Sequence, residues 1–308
     1  MIKKIGTLCL ALIIACTSLI GCGENNEKED MPNNAITTES ALKNAMLIDR
    51  DMNTSLAVKG GKILMDRRKG YEFFDPALEW ENIVQVATGW STIFGLDSDG
   101  EVHGVYAESL AEFIDLGNFT DVTYICATDA DIYALKKDGT VLSTGKHALD
   151  VSDWADIKQI SASGDNEDMI IGLKNDGTVL VEAVEESVKE AESWTDIIQV
   201  SAGRLHVAGL KKDGTVVTCG RALFEEKGDQ GEFDVADWKD IIYVAADNQT
   251  TAGLKKDGTV VTTGYNKCEY AKEWTDIIAI AHGGNGIGAI KKDGTILHMS
   301  MDDVNIFE

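Results

Sequence analysis

Short apolar runs alternate with polar turns along most of the chain, and the turns are nearly the same turn each time. Leu135 to Val141, Leu210 to Val216 and Leu254 to Val260 all read Leu-Lys-Lys-Asp-Gly-Thr-Val. Leu173 to Val179 and Ile290 to Ile296 differ slightly, Leu96 to Val102 is looser, and Ala57 to Ile63 is degenerate. An apolar run that enters Lys-Lys-Asp-Gly and leaves through an alternating Thr-Val-Val-Thr segment predicts a β-hairpin: a type I turn followed by Gly in the left-handed conformation. Asp accepts bonds from nearby backbone N–H groups, and Gly takes positive φ without strain.

The seven turn glycines stand at 61, 100, 139, 177, 214, 258 and 294, so the spacings are 39, 39, 38, 37, 44 and 36. Such a period means one supersecondary unit repeated, each copy unable to bury its apolar face alone. A second mark fixes the register: Trp-x-Asp/Asn-Ile begins at Trp80, Trp154, Trp194, Trp238 and Trp274, with Phe119-Thr120-Asp121-Val122 as a variant. From this aromatic to the turn Gly the distance is 20 in five units and 23 in the one starting at Trp154. Five of the six tryptophans serve this slot, and the repetition assigns them to packing between repeats.

Unit five combines Trp194, Asp196, Ile197, Ala202-Gly203, His206, Leu210, Asp213-Gly214 and Gly220 in order. This resembles the regulator-of-chromosome-condensation repeat family over about residues 41–308. The resemblance implies an all-β, seven-bladed β-propeller with four short antiparallel strands per blade, a closed ring that four-stranded blades at this period would also suit. Closure would use Met46 to Val58 and Met301 to Glu308, and the first blade, which lacks the tryptophan, should be the least regular. The family's His appears once, as His206; Thr92, Asp131, Thr250 and Gly286 hold the matching positions. That pattern reads His206 as a hydrogen-bonding residue beside a turn rather than a catalyst.

The N-terminus carries different information. Lys3 and Lys4 precede an apolar run, Leu8 to Ile14, too short to span a bilayer. Leu19-Ile20-Gly21-Cys22 then resembles the lipobox of bacterial lipoproteins, which implies cleavage before Cys22 and a lipid on its thiol. The expected domains are a signal peptide at 1–21, an acylated Cys and polar tether at 22–40, and the propeller at 41–308. The expected location is extracytoplasmic, anchored to the membrane of a bacterium.

Net charge is −24, and −24 − 2 = −26 once Lys3 and Lys4 leave. Nucleic-acid phosphates need clustered Lys and Arg, so this balance argues against such partners and against the chromatin role of the family's eukaryotic branch. Beyond the anchor, Cys126, Cys219 and Cys268 remain. Cys126 lies in the apolar run Tyr124-Ile125-Cys126-Ala127 and reads as a small core residue, while a Cys219–Cys268 bridge between adjacent blades is left open. No phosphate loop, His-Glu-x-x-His or Gly-x-Ser-x-Gly occurs, so neither a cofactor nor a metal is expected. Asp97-Ser98-Asp99-Gly100-Glu101 occupies the hairpin slot and reads as a plain turn rather than a calcium loop.

The aromatic-to-turn cassette is nearly constant, so function should lie where repeats differ. From turn Gly to the next aromatic the lengths are 19, 19, 15, 17, 24 and 16. The long excursion holds Phe224, Glu225, Glu226, Phe233 and Asp234, and a three-residue insertion in unit four gives a loop holding Asp165, Asn166, Glu167 and Asp168. The first loop and the segment after the third strand emerge on one face of such a unit, so both excursions crowd one rim. Trp90, the tryptophan outside the slot, belongs there with Asp129, Asp131, Arg204, His206, Asp247, Asn248, Gln249 and Asn285. An aromatic among acidic and amide groups forms a candidate partner-binding face. The expectation is a monomeric, non-enzymatic binding module for an unknown protein or extracellular ligand, a basic one suiting the acidic rim; the alternative is an enzyme or small-molecule binder using the central channel. First-strand slots such as Val84-Gln85-Val86-Ala87 and Ile198-Gln199-Val200-Ser201 read as apolar, small and packed, which favours binding.

Overall fold

A computed structural model describes residues 47–50, 54–67, 70–89, 91–164, 168–221, 233–246, 250–264, 269–282, 286–293 and 295–300. They form seven three-stranded antiparallel sheets, each a meander of consecutive strands. The first holds β1 (Leu47–Arg50), β2 (Thr54–Lys59) and β3 (Lys62–Arg67); the second β4 (Ile83–Gly89), β5 (Thr92–Asp97) and β6 (Val102–Tyr106). The third holds β7 (Val122–Ala127), β8 (Asp131–Lys136) and β9 (Val141–Gly145); the fourth β10 (Ile157–Ser163), β11 (Met169–Lys174) and β12 (Val179–Ala183). The fifth holds β13 (Ile197–Ala202), β14 (His206–Lys211) and β15 (Val216–Gly220). The sixth holds β16 (Ile241–Ala246), β17 (Thr250–Lys255) and β18 (Val260–Gly264), and the seventh β19 (Ile277–His282), β20 (Gly286–Lys291) and β21 (Ile296–Ser300).

The turns form as their residues dictate. Gly100, Gly139, Gly177, Gly214 and Gly258 sit at φ of 82 to 85°. Asp138 Oδ1 accepts from the Thr140 backbone N–H at 3.0 Å and from its hydroxyl at 2.6 Å, and Asp176, Asp213 and Asp257 repeat both bonds with Thr178, Thr215 and Thr259. Asp-Gly-Thr is therefore one device: Gly reverses the chain and Thr ties down the carboxylate. In the second sheet Asp97, two positions before the equivalent Asp99, accepts from the Asp99 and Glu101 backbone N–H groups.

Each turn also hooks the next sheet. The carbonyls of Gly61, Gly100, Gly139, Gly177, Gly214 and Gly258 accept from the N–H that opens the following first strand, at Ile83, Val122, Ile157, Ile197, Ile241 and Ile277, over 3.0 to 3.1 Å. The residue before each of these strands, Asn82, Asp121, Asp156, Asp196, Asp240 or Asp276, is left-handed, with φ from 58 to 64°. This explains Trp-x-Asp/Asn-Ile: Asp and Asn are the side-chain-bearing residues that enter this region most readily.

The core is divided into six clusters, each between successive sheets. The slot aromatic lies in each of them: Trp80, Phe119, Trp154, Trp194, Trp238 and Trp274. Four indoles lie against a middle-strand glycine. A Cβ on Gly95, Gly172, Gly209 or Gly253 would come within 2.5 to 2.8 Å of the ring of Trp80, Trp154, Trp194 or Trp238. Where the aromatic is the smaller Phe119, the matching strand residue is Ala134.

Three glutamines cross between sheets. Gln85 donates from Nε2 to the Ile125 carbonyl at 2.8 Å and accepts at Oε1 from the Ile125 N–H at 2.9 Å; Gln159 bridges Val200 and Gln199 bridges Val244 likewise. These first-strand positions read as plain packing in the sequence; here their polar ends satisfy backbone groups of the neighbouring first strand.

Two expectations differ from what is seen. Each described sheet has three strands, and four of the links between sheets instead carry 3-10 turns, Glu72–Glu79, Glu108–Leu110, Glu186–Ser193 and Glu269–Glu273. The turns suit their sequences, because an apolar residue three positions before the aromatic receives its N–H: Trp80 to Ala77, Trp194 to Ala191 and Trp274 to Ala271, at 3.0 to 3.3 Å. The second difference is at Val84, Ile198 and Ile242, exposed by 45%, 47% and 53%. A β-bulge falls at this position of every first strand from β4 onward and turns the extra side chain out of the packing. The first sheet is indeed irregular: it lacks this bulge and turns through Gly60 and Gly61. The tail from Met301 lies outside the described residues.

Candidate binding rim

Strand pairing places the variable segments together. The start of each middle strand stands opposite the end of its third strand: Thr92 with Tyr106, Asp131 with Gly145, Met169 with Ala183, His206 with Gly220 and Thr250 with Gly264. First loops and after-strand links therefore share the rim opposite the Lys-Lys-Asp-Gly turns.

The positions matching the family's histidine all open a middle strand, and Thr92, Asp131, His206 and Thr250 are buried. His206 Nε2 lies 3.0 Å from the Thr251 hydroxyl of the next sheet, and Phe233 meets its ring edge-on, with centroids 6.1 Å apart at 89°. The strand-ending glycines are required here, since a Cβ on Gly220, at φ 129°, would lie 2.3 Å from the Leu205 carbonyl and 2.6 Å from His206 Cα. Among the described residues, no hydrogen-bond partner reaches the buried Thr92 hydroxyl.

Asp131 fills the same slot differently. Its Oδ2 accepts from the Thr128 hydroxyl at 2.9 Å and its Oδ1 from the His147 backbone N–H at 2.8 Å. Asp168, the residue before β11, lies beside it and is also buried. Burial first, and then the Asp131 charge, push the Asp168 carboxyl above its ordinary range, against smaller opposing effects of His147 and Thr128. Burial likewise pushes up the phenol of Tyr133, whose oxygen accepts from the Leu149 N–H at 3.0 Å. Farther along the rim Arg221 pairs with Glu185, which also accepts from the Ser187 N–H and hydroxyl. Burial opposes the Glu185 charge, but bonds from Ser187 and Arg221 outweigh it and hold the carboxyl low.

Of the face residues read from the sequence, Asp131, Asp168 and His206 prove buried, so they shape the rim from within. Asp129, Arg204 and Phe233 are partly exposed on it. Trp90, Asp165, Asn166, Glu167, Phe224, Asp247, Asn248, Gln249, Asn285 and the lipidation candidate Cys22 lie outside the described residues, as does Cys268. Cys219 is a free thiol that donates to the Val188 carbonyl at 3.3 Å, with burial pushing its pKa up to about 12; Cys126 is also buried. Sequence reasoning missed His147 and Thr128. They carry no repeat mark, and only the pairing of β8 with β9 brings His147 to Asp131.

The side lined by the first strands offers less chemistry. First strands of successive sheets stand side by side, and their exposed bulge residues include Val84, Ile198, Ile242 and Lys158, whose ammonium burial lowers in pKa despite Asp176 and Asp156. The polar first-strand side chains Gln85, Gln159 and Gln199 are engaged in the cross-sheet bonds.

An all-β chain of successive three-stranded sheets has relatives of known structure among propellers. The Crinkly WD40 ectodomain of the Arabidopsis thaliana receptor kinase ACR4 is 14% identical, with a TM-score of 0.62 over 82% of this chain and 95% of that one. The ectodomain of the Physcomitrella patens receptor kinase CR4 is 16% identical, with a TM-score of 0.59 over 82% and 71%. Yeast RCC1 (Prp20), solved bound to Kap60, is 15% identical, with a TM-score of 0.53 over 78% and 73%. A search of curated proteins gave no match. The regulator of chromosome condensation (RCC1) repeat matches residues 197–222, which span β13 to β15 and include His206. The chain thus carries a repeat of the RCC1 type, and the solved structures it resembles are propellers.

Proposed function

We propose that this chain is a lipid-anchored, extracytoplasmic propeller of seven blades that binds a protein partner through the rim opposite its hairpin turns. The observation that carries the reading is the division of the molecule into a constant and a variable side. The Asp-Gly turns and their hooks repeat almost without change, whereas loops and links on the opposite rim differ in length, charge and side-chain chemistry. A constant side is scaffold, and variable loops on a rigid scaffold are where recognition resides. A structural relative, yeast RCC1 (Prp20), has been solved bound to another protein, Kap60. The acidic balance and the acidic excursions favour a basic partner.

Binding is preferred to catalysis because the bulge residues facing the inner edge are mostly aliphatic, and the neighbouring glutamines serve the fold. The anchor rests on Leu19-Ile20-Gly21-Cys22 and the polar stretch after it. No helix among the described residues is long and apolar enough to cross a membrane.

Two experiments test the proposal. Cys22→Ala should abolish metabolic labelling by a fatty acid and release the protein from the detergent phase; unchanged labelling and partitioning would remove the anchor. Deleting Glu225 to Glu232, which spares Phe233, should weaken capture of partner from surface extract while the melting temperature holds, and added salt should weaken wild-type capture. Equal capture by both proteins at low and high salt would remove the rim.

A further inference from the structure

Asp131, His147 and Asp168 come from three separate segments: Asp131 opens β8, His147 follows β9, and Asp168 precedes β11 of the next sheet. One ligand atom from each lies within 4.8 Å of the other two. Asp131 is 0% exposed and Asp168 8%, while the His147 side chain faces solvent.

The Asp131 carboxylate is satisfied by Thr128 and the His147 backbone. The Asp168 carboxylate is not. Among the described residues, the Thr128 hydroxyl is the donor that reaches it, and that one hydroxyl serves both carboxylates. A carboxylate more than nine-tenths buried thus points at a second buried carboxylate with no donor of its own. Two like charges out of water are costly unless a cation lies between them. A neutral imidazole beside them supplies a lone pair, not a charge.

We propose that Asp131, His147 and Asp168 bind one first-row divalent cation, of which zinc is the best-matched probe. Imidazole with two carboxylates suits zinc or a neighbouring transition metal; calcium prefers an all-oxygen shell. Three protein ligands leave a fourth position open to water or to a partner's side chain. The set is preorganised. The His147 segment is fixed by its own N–H on Asp131, by the Leu149 N–H on Tyr133, and by the Ser143 hydroxyl on the Leu149 carbonyl at 2.9 Å. Two glycines clear the carboxylates: a Cβ on Gly164 would stand 2.1 Å from Asp168 Oδ1, and one on Gly145 2.3 Å from Asp131 Oδ1. The exposed imidazole gives the ion its way in.

The test uses the purified full chain, stripped with a chelator and titrated at pH 7.5 with zinc alone or calcium alone, by calorimetry and by thermal melts. The expected result is one saturable equivalent of zinc, a melting temperature that rises with zinc concentration, and much weaker calcium binding. His147→Ala, at an exposed position, should weaken zinc binding roughly tenfold or more. Asp168→Asn should abolish that equivalent yet melt no lower than the stripped wild type. Zinc uptake that is absent, or unaffected by both substitutions, would overturn the proposal. So would a wild type that takes up no zinc and whose melting depends on pH only through Asp168, because the pair would then share a proton.

Discussion

The fit between slot tryptophan and middle-strand glycine gives a prediction whose sign depends on background. A Cβ on Gly209 would meet Trp194 Cε3 and Cζ3 at 2.8 Å and Val217 Cγ2 at 3.2 Å, and Trp194 is only 9% exposed. Overpacking of this kind costs about 1–3 kcal/mol. Replacing a strand glycine also relieves about 0.5–1 kcal/mol of backbone entropy. Trp274 already stands with Ala289 in the seventh sheet, so the indole can give ground and the cost should fall at the low end. Gly209→Ala should therefore destabilise the wild type by about 1 kcal/mol. Trp194→Phe shrinks the ring and should itself cost about 1–3 kcal/mol. In that background Gly209→Ala should be neutral or stabilising, because Phe119 beside Ala134 is the combination the third sheet uses. The assay is equilibrium urea unfolding of the four proteins by circular dichroism, comparing midpoints at constant slope. Additivity within about 0.5 kcal/mol, or stabilisation of the wild type by Gly209→Ala, would refute the interlock.

Asp196→Ala should lower stability by about 1–2 kcal/mol because φ is 60° there, whereas Asp196→Asn and Asp196→Gly should be nearly neutral in thermal melts. Gln199→Leu strands the Val244 N–H and carbonyl, so urea unfolding should show a loss of about 2 kcal/mol or more. Hydrogen bonds from Thr hold Asp138, Asp176, Asp213, Asp257 and Asp293 below the ordinary carboxylate range. Their stabilisation is present above the unfolded pKa near 4 and is lost as pH falls through the lower folded values. Asp213→Ala should accordingly flatten the acid limb of the stability curve measured by melting. Asp168 has the opposite sign: its raised folded pKa means its charge opposes folding at neutral pH, so Asp168→Asn should raise the midpoint of the metal-free protein at pH 7.

The repeat, its hairpins and its slot aromatics were legible because each depends on local chemistry repeated at fixed spacing. Lys-Lys-Asp-Gly-Thr is a turn wherever it occurs, and Trp-x-Asp-Ile identifies a left-handed residue followed by a strand. The glutamine bridges were less legible. Gln85, Gln159 and Gln199 recur at one slot, but their partners lie 40 to 45 residues away in the next sheet. The fourth strand was expected from the family resemblance, whereas Ala77, Ala191 and Ala271 close 3-10 turns onto the tryptophan three residues later. The Asp131–His147–Asp168 set was hidden because none of the three repeats; the sequence offered Asp131 and Asp168 only as rim acids, and strand pairing supplied their company.

Site-specific photo-cross-linking tests the central claim, recognition through the variable rim, most directly. A photoreactive residue at Arg204 on the rim, or at Lys212 in a hairpin turn, would be irradiated in native surface extract with the chain otherwise intact. The account predicts a discrete, salt-sensitive adduct from position 204 and none from position 212. An adduct from position 212 alone would contradict it.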